Sequence, residues 1–394
     1  MYGHDRSKPA GPLAGTRVVD LTSARAGPTC VRQLTDLGAD AIQVRAPGGF
    51  QLHGSDAENL HRGKRSIVLD LKADGGRDVL LRLVERADVL VENFRPAVKH
   101  RLRIDPDTLL ELNPRLVYGS ISAFGQTGPY AERPGYDQIA QGLAGLMSVT
   151  GPPGSGPWRA GIAIADSAAG TFLAQGILAA LVARASSGRG QWVHTSLLEA
   201  LVNLMDFQAE RWLVERDVPG QAGNDHPSIP GSGTFRTADG YVNVVAIAAT
   251  DRFYAAIGRP DLADDEHVAT ASTARERRDA VYAACEEIFR ERSSAEWVEL
   301  LNAADIACGP VLAMDEVFAD PQVRHLQLTR AVAHPTAGAL DLLRLPLTFS
   351  DATVDVGHAA PAPGAHTREV LAEHGYSEPE VEELVARGVA REAG

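Results

Sequence analysis

Apolar and polar positions follow two different rhythms along the first half of the chain. Short apolar blocks at Thr16–Leu21, Asp40–Val44, Ser66–Leu71, Ala87–Asn93 and Leu116–Ser122 have the length and bounds of buried strands. Between them, Cys30–Leu37, Gly75–Arg86 and Pro106–Leu112 carry helical spacing. Helices are also predicted over Gly135–Val149 and Thr171–Ala185, the second apolar almost all round and so expected to be buried. Strands alternating with helices predict an α/β fold with a parallel sheet. Ligands of such sheets sit outside the carboxyl ends of the strands.

The pattern then changes. Residues Gly223–Gly233 are rich in Gly, Pro, Asn and Ser and read as a linker. Residues Ser232–Ala248 read as a hairpin turning at Ala238-Asp239-Gly240. Helices are expected at Asp251–Ile257, Ala274–Arg290 and Ser294–Ala303, so residues 226–330 predict a smaller α+β domain. A polar helical pair, His366–His374 and Glu378–Arg387, ends the chain.

Composition narrows the class. At 394 residues the chain is long enough for two or three domains, and 44% hydrophobic residues is ordinary for a globular protein. A net charge of −13 argues against nucleic-acid binding as a main role. Cys30, Cys285 and Cys308 show neither CxxC nor metal-ligand spacing, so no metal site is expected and a reducing cytoplasm is. Residues Met1–Gly11 lack the apolar core of a signal peptide, and the reading expects no membrane span. No GxGxxG follows a strand, and GxxxxGK, GxSxG and HExxH do not occur.

Two basic runs stand out, His61-Arg62-Gly63-Lys64-Arg65 and Asn93 to Arg103. Either they form a solvated positive face, the usual fate of such runs, or they hold a phosphorylated nucleotide with Phe94 against its base. The sharpest feature is Asp166 in Gly161-Ile-Ala-Ile-Ala-Asp166-Ser-Ala-Ala-Gly170. Asp is a favoured helix cap. It is equally a carboxylate at a helix start, with small residues behind it, able to attack an activated acyl group. From the residues alone both readings stand.

In order along the chain come Pro12-Leu-Ala-Gly-Thr-Arg-Val-Val-Asp-Leu21, Ala26-Gly-Pro28, Leu37-Gly-Ala-Asp40, Gly63-Lys-Arg-Ser-Ile67 and Leu69-Asp-Leu-Lys72. Glu92-Asn-Phe-Arg-Pro96, Gly125-Gln-Thr-Gly-Pro129, Gly135-Tyr-Asp137, Gly188-Arg-Gly-Gln191, Gly223-Asn-Asp-His-Pro227 and Gly309-Pro-Val311 follow. Together they make the chain resemble the family III CoA-transferases over nearly its whole length. The resemblance implies a Rossmann-like large domain over residues 10–225, completed by residues 331–394, in an intertwined homodimer.

It also implies that Asp166 is a nucleophile, forming an aspartyl anhydride with the acyl donor and then an aspartyl-CoA thioester. CoA is then a substrate, passed from an acyl-CoA donor to a carboxylate acceptor, and no prosthetic group is implied. Leu69 and Lys72 match positions lining the CoA groove, and Asn93, Phe94 and Arg101 match nucleotide and phosphate contacts. Tyr136 and Asp137 match positions flanking the acyl site. The run Gly231-Ser232-Gly233 falls where relatives place a glycine-rich loop.

This chain departs from the family pattern at Arg25, Arg45, Ala46, Ala97 and Pro134, which argues against formyl-CoA or oxalate as substrates. Arg25 is expected to bind an acceptor carboxylate or a CoA phosphate. The related racemases carry a catalytic His where this chain has Tyr136, a poor base near neutral pH, so racemase chemistry is the runner-up. A CoA-binding subunit without catalysis is the other alternative.

Overall fold

A computed structural model describes residues 11–50, 52–226, 232–246, 249–263 and 274–393. The chain forms two compact units. Among the described residues, one takes in those from 11 to 146, 159–217 and 327–393; the other takes in 147–158 and those described between 218 and 326. The stretch 147–158, expected within the large domain, therefore belongs with the smaller unit.

The large unit is built on strands β1 (Arg17–Asp20), β2 (Asp40–Arg45), β3 (Lys64–Leu69), β4 (Val89–Glu92), β5 (Val117–Ser122) and β6 (Trp192–Ser196). They pair in the order β3-β2-β1-β4-β5-β6, all parallel, which is the strand order of dinucleotide-binding folds. Every residue of β4 and β5 is buried, as expected of strands covered on both faces. Helices α1 (Ala26–Asp36), α2 (Gly54–His61), α3 (Asp74–Glu85), α4 (Pro96–Leu102) and α5 (Pro106–Leu112) fill the connections up to β5. After β5 come α6 (Asp137–Leu143), α7 (Leu146–Val149), which falls mostly in the smaller unit, and α8 (Ile164–Ser187), and α9 (Leu197–Leu204) follows β6.

One apolar core lies between the sheet and α1, α8 and α9. A second lies on the other face, where Val79, Leu80 and Leu83 of α3 meet Val370, Leu371, Val381 and Leu384 of the C-terminal segment. That segment ends in a short strand, Ala390–Arg391, antiparallel to β3.

The smaller unit carries an antiparallel sheet of Gly233–Arg236, Tyr241–Val245 and Ala307–Pro310. Its first two strands are the expected hairpin, whose predicted end at 247–248 lies outside the described residues. Phe235, Phe253, Phe289 and Trp297 fill its core, with Phe235 and Phe289 stacked at 4.3 Å. Gly231 of the expected glycine-rich loop also lies outside the described residues.

Helix α8 positions the site. Its apolar length and composition would suffice to cross a membrane, but here they serve packing: Ala165, Ala168, Ala169, Leu173, Ala174, Ile177 and Ala180 are buried. Gly170 lets α8 meet α1 backbone to backbone. A Cβ at 170 would lie 2.6 Å from the Ala26 carbonyl oxygen and 2.8 Å from Thr29 Cβ. Since a backbone oxygen cannot swing aside, Gly170→Ala is expected to destabilise the fold by about 1–3 kcal/mol. Chemical denaturation of the two proteins checks this, and equal midpoints would count against the contact.

Candidate active site

The start of α8 decides what Asp166 does structurally. The helix begins at Ile164, seven residues ahead of the expected start at Thr171, so Asp166 is its third residue. The N-cap position is held by Ala163, which makes no side-chain cap. The capping carboxylate comes instead from the first turn of α6. Asp137 Oδ1 accepts the backbone N–H of Ala165 at 2.8 Å and of Asp166 at 3.3 Å. The capping reading of Asp166 is thereby corrected: a carboxylate from a neighbouring helix fills that role. The side chain of Asp166 has no hydrogen-bond partner among the described residues.

A half-buried carboxylate left without donors should resist ionisation. Burial pushes the Asp166 carboxyl up from the ordinary 3.8 to about 6, the charge of Asp137 adds to the rise, and Arg25 opposes it. Asp166 is thus an anion at neutral pH, but a more basic one than a solvated carboxylate. Perturbations of this kind concentrate at functional sites.

The sheet supplies a crevice. From β1 the chain order runs to one edge and from β4 to the other, so the switch point lies between these two strands. Two turns meet there. Asn93, just after β4, accepts from Ser23 N–H at 3.0 Å and donates to the Ser23 carbonyl at 2.8 Å. These two hydrogen bonds tie the β4 turn to the β1 turn. The β1 turn is shaped by Asp20, which accepts from the Thr22 N–H at 2.9 Å and its hydroxyl at 2.5 Å. Lys64 Nζ donates to the other Asp20 oxygen at 2.8 Å, with both side chains fully buried. Ala24 follows at φ 59°, a left-handed conformation uncommon for alanine. Arg25 then leads into α1 and pairs with Asp56 of α2 at 2.7 Å.

The remaining expected site residues divide. Asp137, at the start of α6, caps α8 at Ala165 and Asp166, and its charge and that of Arg25 both act on Asp166; Tyr136 sits beside Asp137, 73% exposed. Phe94 is half-buried against the second core, its N–H on Glu92 at 2.7 Å. Arg101 on α4 and Lys72 after β3 are exposed. Leu69 is fully buried in the second core, so its side chain presents no face to a ligand.

The basic runs also divide. Arg62, Lys64 and Lys99 are neither a solvated face nor open to a phosphate, because each is buried against an acid. Arg62 meets Asp36 at 2.8 Å, Lys64 meets Asp20, and Lys99 meets Glu92 at 3.0 Å. Lys99 also donates to Gln126 Oε1 at 2.5 Å and Ser120 Oγ at 3.3 Å.

Sequence reasoning missed Gln141. It is fully buried, donates to Asp137 Oδ2 at 2.6 Å and to the Ile162 carbonyl at 3.3 Å, and accepts from Ala160 N–H at 2.8 Å. Its spacing four residues after Asp137 on one helix face was the available signal.

The fold and the site thus combine a dinucleotide-type parallel sheet with a carboxylate of raised basicity close to its switch point. Comparison with known proteins identifies the family. Residues 13–367 match CoA-transferase family III, and the chain belongs to that family. It is 35% identical to succinate–glutarate CoA-transferase of Agrobacterium fabrum, over 92% of this chain and 95% of that protein. It is 36% identical to acetyl-CoA:oxalate CoA-transferase of Acetobacter aceti, over 80% and 85%. Among solved structures, a CAIB/BAIF family protein from Brucella suis superposes with a TM-score of 0.82 at 33% identity, covering 93% of this chain and all of that one.

The raised Asp166 value carries a stability consequence. A folded-state value above the unfolded one favours the protonated form, so the stability it confers is whole below pH 3.8 and is lost as pH rises through about 6. Asp166→Asn is therefore expected to stabilise the fold by about 1–2 kcal/mol at pH 7.5, less than the shift alone implies because the group is partly solvated. The gain should vanish near pH 4. Melting temperatures of both proteins at the two pH values check this; a gain independent of pH would contradict it.

Proposed function

We propose that this chain moves CoA from an acyl-CoA thioester to a carboxylic acid acceptor through covalent intermediates on Asp166. An Asp166 oxygen attacks the thioester carbonyl, the C–S bond breaks, and CoA leaves as thiolate. The thiolate then attacks the Asp166 carbonyl of the mixed anhydride and expels the donor carboxylate, leaving an aspartyl-CoA thioester. An acceptor carboxylate attacks that thioester and releases the thiolate, which takes the acceptor's acyl carbon and frees Asp166. Each step exchanges one activated acyl bond for another, so the thioester's free energy is not lost to water.

The observation that carries this reading is the Asp166 carboxylate itself, held at a helix start with its backbone N–H bonded elsewhere and its oxygens uncommitted. A structural carboxylate would be capping or paired, as Asp20, Asp36 and Asp137 are. The relatives' names specify succinate, glutarate and oxalate, which supports a short dicarboxylate among the substrates. Arg25, whose charge acts on Asp166, suits such a group. Lys72 and Arg101 are exposed cations fit for CoA phosphates, with Phe94 seven residues before Arg101.

The reading includes a homodimer. Val202, Leu204, Phe207, Trp212, Leu213 and Val214 are all exposed within thirteen residues, more apolar surface than a lone unit normally leaves to water. It also keeps the cytoplasmic setting, which three unpaired cysteines suit.

Incubation with a panel of acyl-CoAs, a hydroxylamine quench and peptide mass spectrometry test the mechanism. A modified peptide containing Asp166 is expected with at least one donor. Asp166→Ala is expected to abolish transfer while retaining CoA binding, and transfer persisting in that variant would defeat the reading. Solvent deuterium entering an acyl α-carbon, with no adduct, would turn it toward racemase chemistry. For the nucleotide contacts, Arg101→Ala is expected to weaken CoA binding about tenfold, as read by titration calorimetry. Unchanged affinity would remove Arg101 from the site.

A further inference from the structure

We propose that Asp137 is a positioning residue for the transfer reaction, capping the helix that carries Asp166 so that the nucleophile's own oxygens stay uncommitted. This rests on the nucleophilic reading of Asp166 and adds to it a division of labour between two carboxylates.

A helix start offers unsatisfied N–H groups, and any nearby carboxylate competes for them. At the start of α8 Asp137 wins. Its Oδ1 takes the amides of both Ala165 and Asp166, at 2.8 and 3.3 Å. Its Oδ2 is held at 2.6 Å by Gln141, one turn along α6. Gln141 in turn accepts from Ala160 N–H and donates to the Ile162 carbonyl, so α6 braces the chain entering α8 at four points between 160 and 166. The backbone of Asp166 is one of the four, so the nucleophile's Cα is located by the same carboxylate that caps the helix.

The arrangement has an electrostatic side. The charged groups acting on Asp166 are Asp137 from α6 and Arg25 from the start of α1, the latter already paired with Asp56 of α2. Asp137 is a like charge that has consumed the local donors. It therefore both withholds hydrogen bonds from Asp166 and repels its negative charge, and each effect makes the Asp166 oxygens more basic. A conventional serine cap at position 163 would take up the same amides, but being uncharged it would not repel the Asp166 carboxylate.

Two substitutions in the full-length protein separate cap from charge. Asp137→Asn keeps an acceptor oxygen for the two amides, removes the charge and gives up the Gln141 bond to Oδ2; Asp137→Ala removes acceptor and charge alike. The first readout needs no turnover: titration of the Asp166 carboxyl by NMR in protein labelled at the aspartate side-chain carbon, assigned with Asp166→Asn. Asp137→Asn is expected to lower the Asp166 midpoint by about one pH unit. The second readout is the rate of acyl-CoA-dependent labelling of Asp166 against pH. Its acid limb is expected to move down with the midpoint in Asp137→Asn, and in Asp137→Ala the rate is expected to fall at least tenfold at every pH.

A merely structural cap would lower the melting temperature of Asp137→Ala and leave the titration of Asp166 in Asp137→Asn where it was; that result would overturn the proposal. Labelling of Asp166 in Asp137→Ala at the parent rate would overturn it as well. Absence of labelling in the parent protein would instead overturn the nucleophilic reading on which the proposal rests, and the titration would report the coupling of the two carboxylates separately.

Discussion

The backbone contact between α1 and α8 is the constraint on which the large unit depends. Gly170 leaves no atom between the helix and the Ala26 carbonyl, and the alanines on either side of it let α8 lie close to α1 and the sheet. Gly119 in β5 does the same from below, receiving Ile177 and Leu173. Because α1 starts at the carboxyl end of β1, a contact at Ala26 brings the first turn of α8 to that end also. Asp166 lies one turn ahead of Gly170 and so on the same face of the helix. The packing that fills the core is therefore what places the carboxylate at the switch point.

Ionic contacts divide into those that build this frame and those that work on its surface. Asp20–Lys64, Asp36–Arg62 and Glu92–Lys99 are closed from water and hydrogen-bonded. Burying such pairs gains little over apolar side chains, but removing one partner strands a charge and costs about 3–5 kcal/mol. Two of them end at the crevice: Asp20 shapes the turn carrying Ala24 and Arg25, and Glu92 holds the Phe94 amide beside Asn93. Asp166 runs the other way, a charge the fold would rather neutralise. The buried pairs fix the turns at the crevice, while the cost of the charge at Asp166 is carried by the packing of the rest of the unit.

Much of this was legible in the chain before any coordinates. The apolar blocks gave five of the six parallel strands, since buried strands read as continuous runs. The sixth, Trp192–Ser196, escaped because its residues alternate in burial and include His194 and Thr195. The start of α8 was misplaced because Ile164, Ala165 and Asp166 carry no cap of their own; the cap sits 29 residues earlier in sequence, beyond the reach of local rules. The burial of Lys64 and Lys99 was likewise invisible. A basic run looks the same whether its counter-ions are solvent or Asp20 and Glu92, and those partners lie 44 and 7 residues away. What sequence conveyed well was element type; what it concealed was which distant side chain answers each charge.

The same ordering by burial indicates which cations remain available to a substrate. Arg62, Lys64 and Lys99 cannot turn toward a ligand without abandoning a buried acid. Arg25 differs: its side chain is 29% exposed and its partner Asp56 is 50% exposed. An ion pair that open is worth at most about 1 kcal/mol. A substrate carboxylate entering the crevice and shedding its water would offer the guanidinium a planar, two-pronged partner in a drier setting, where such a bond is stronger. Arg25 is thus a cation at the crevice whose protein partner is itself half exposed, in contrast to Arg62, Lys64 and Lys99, which are held by buried acids.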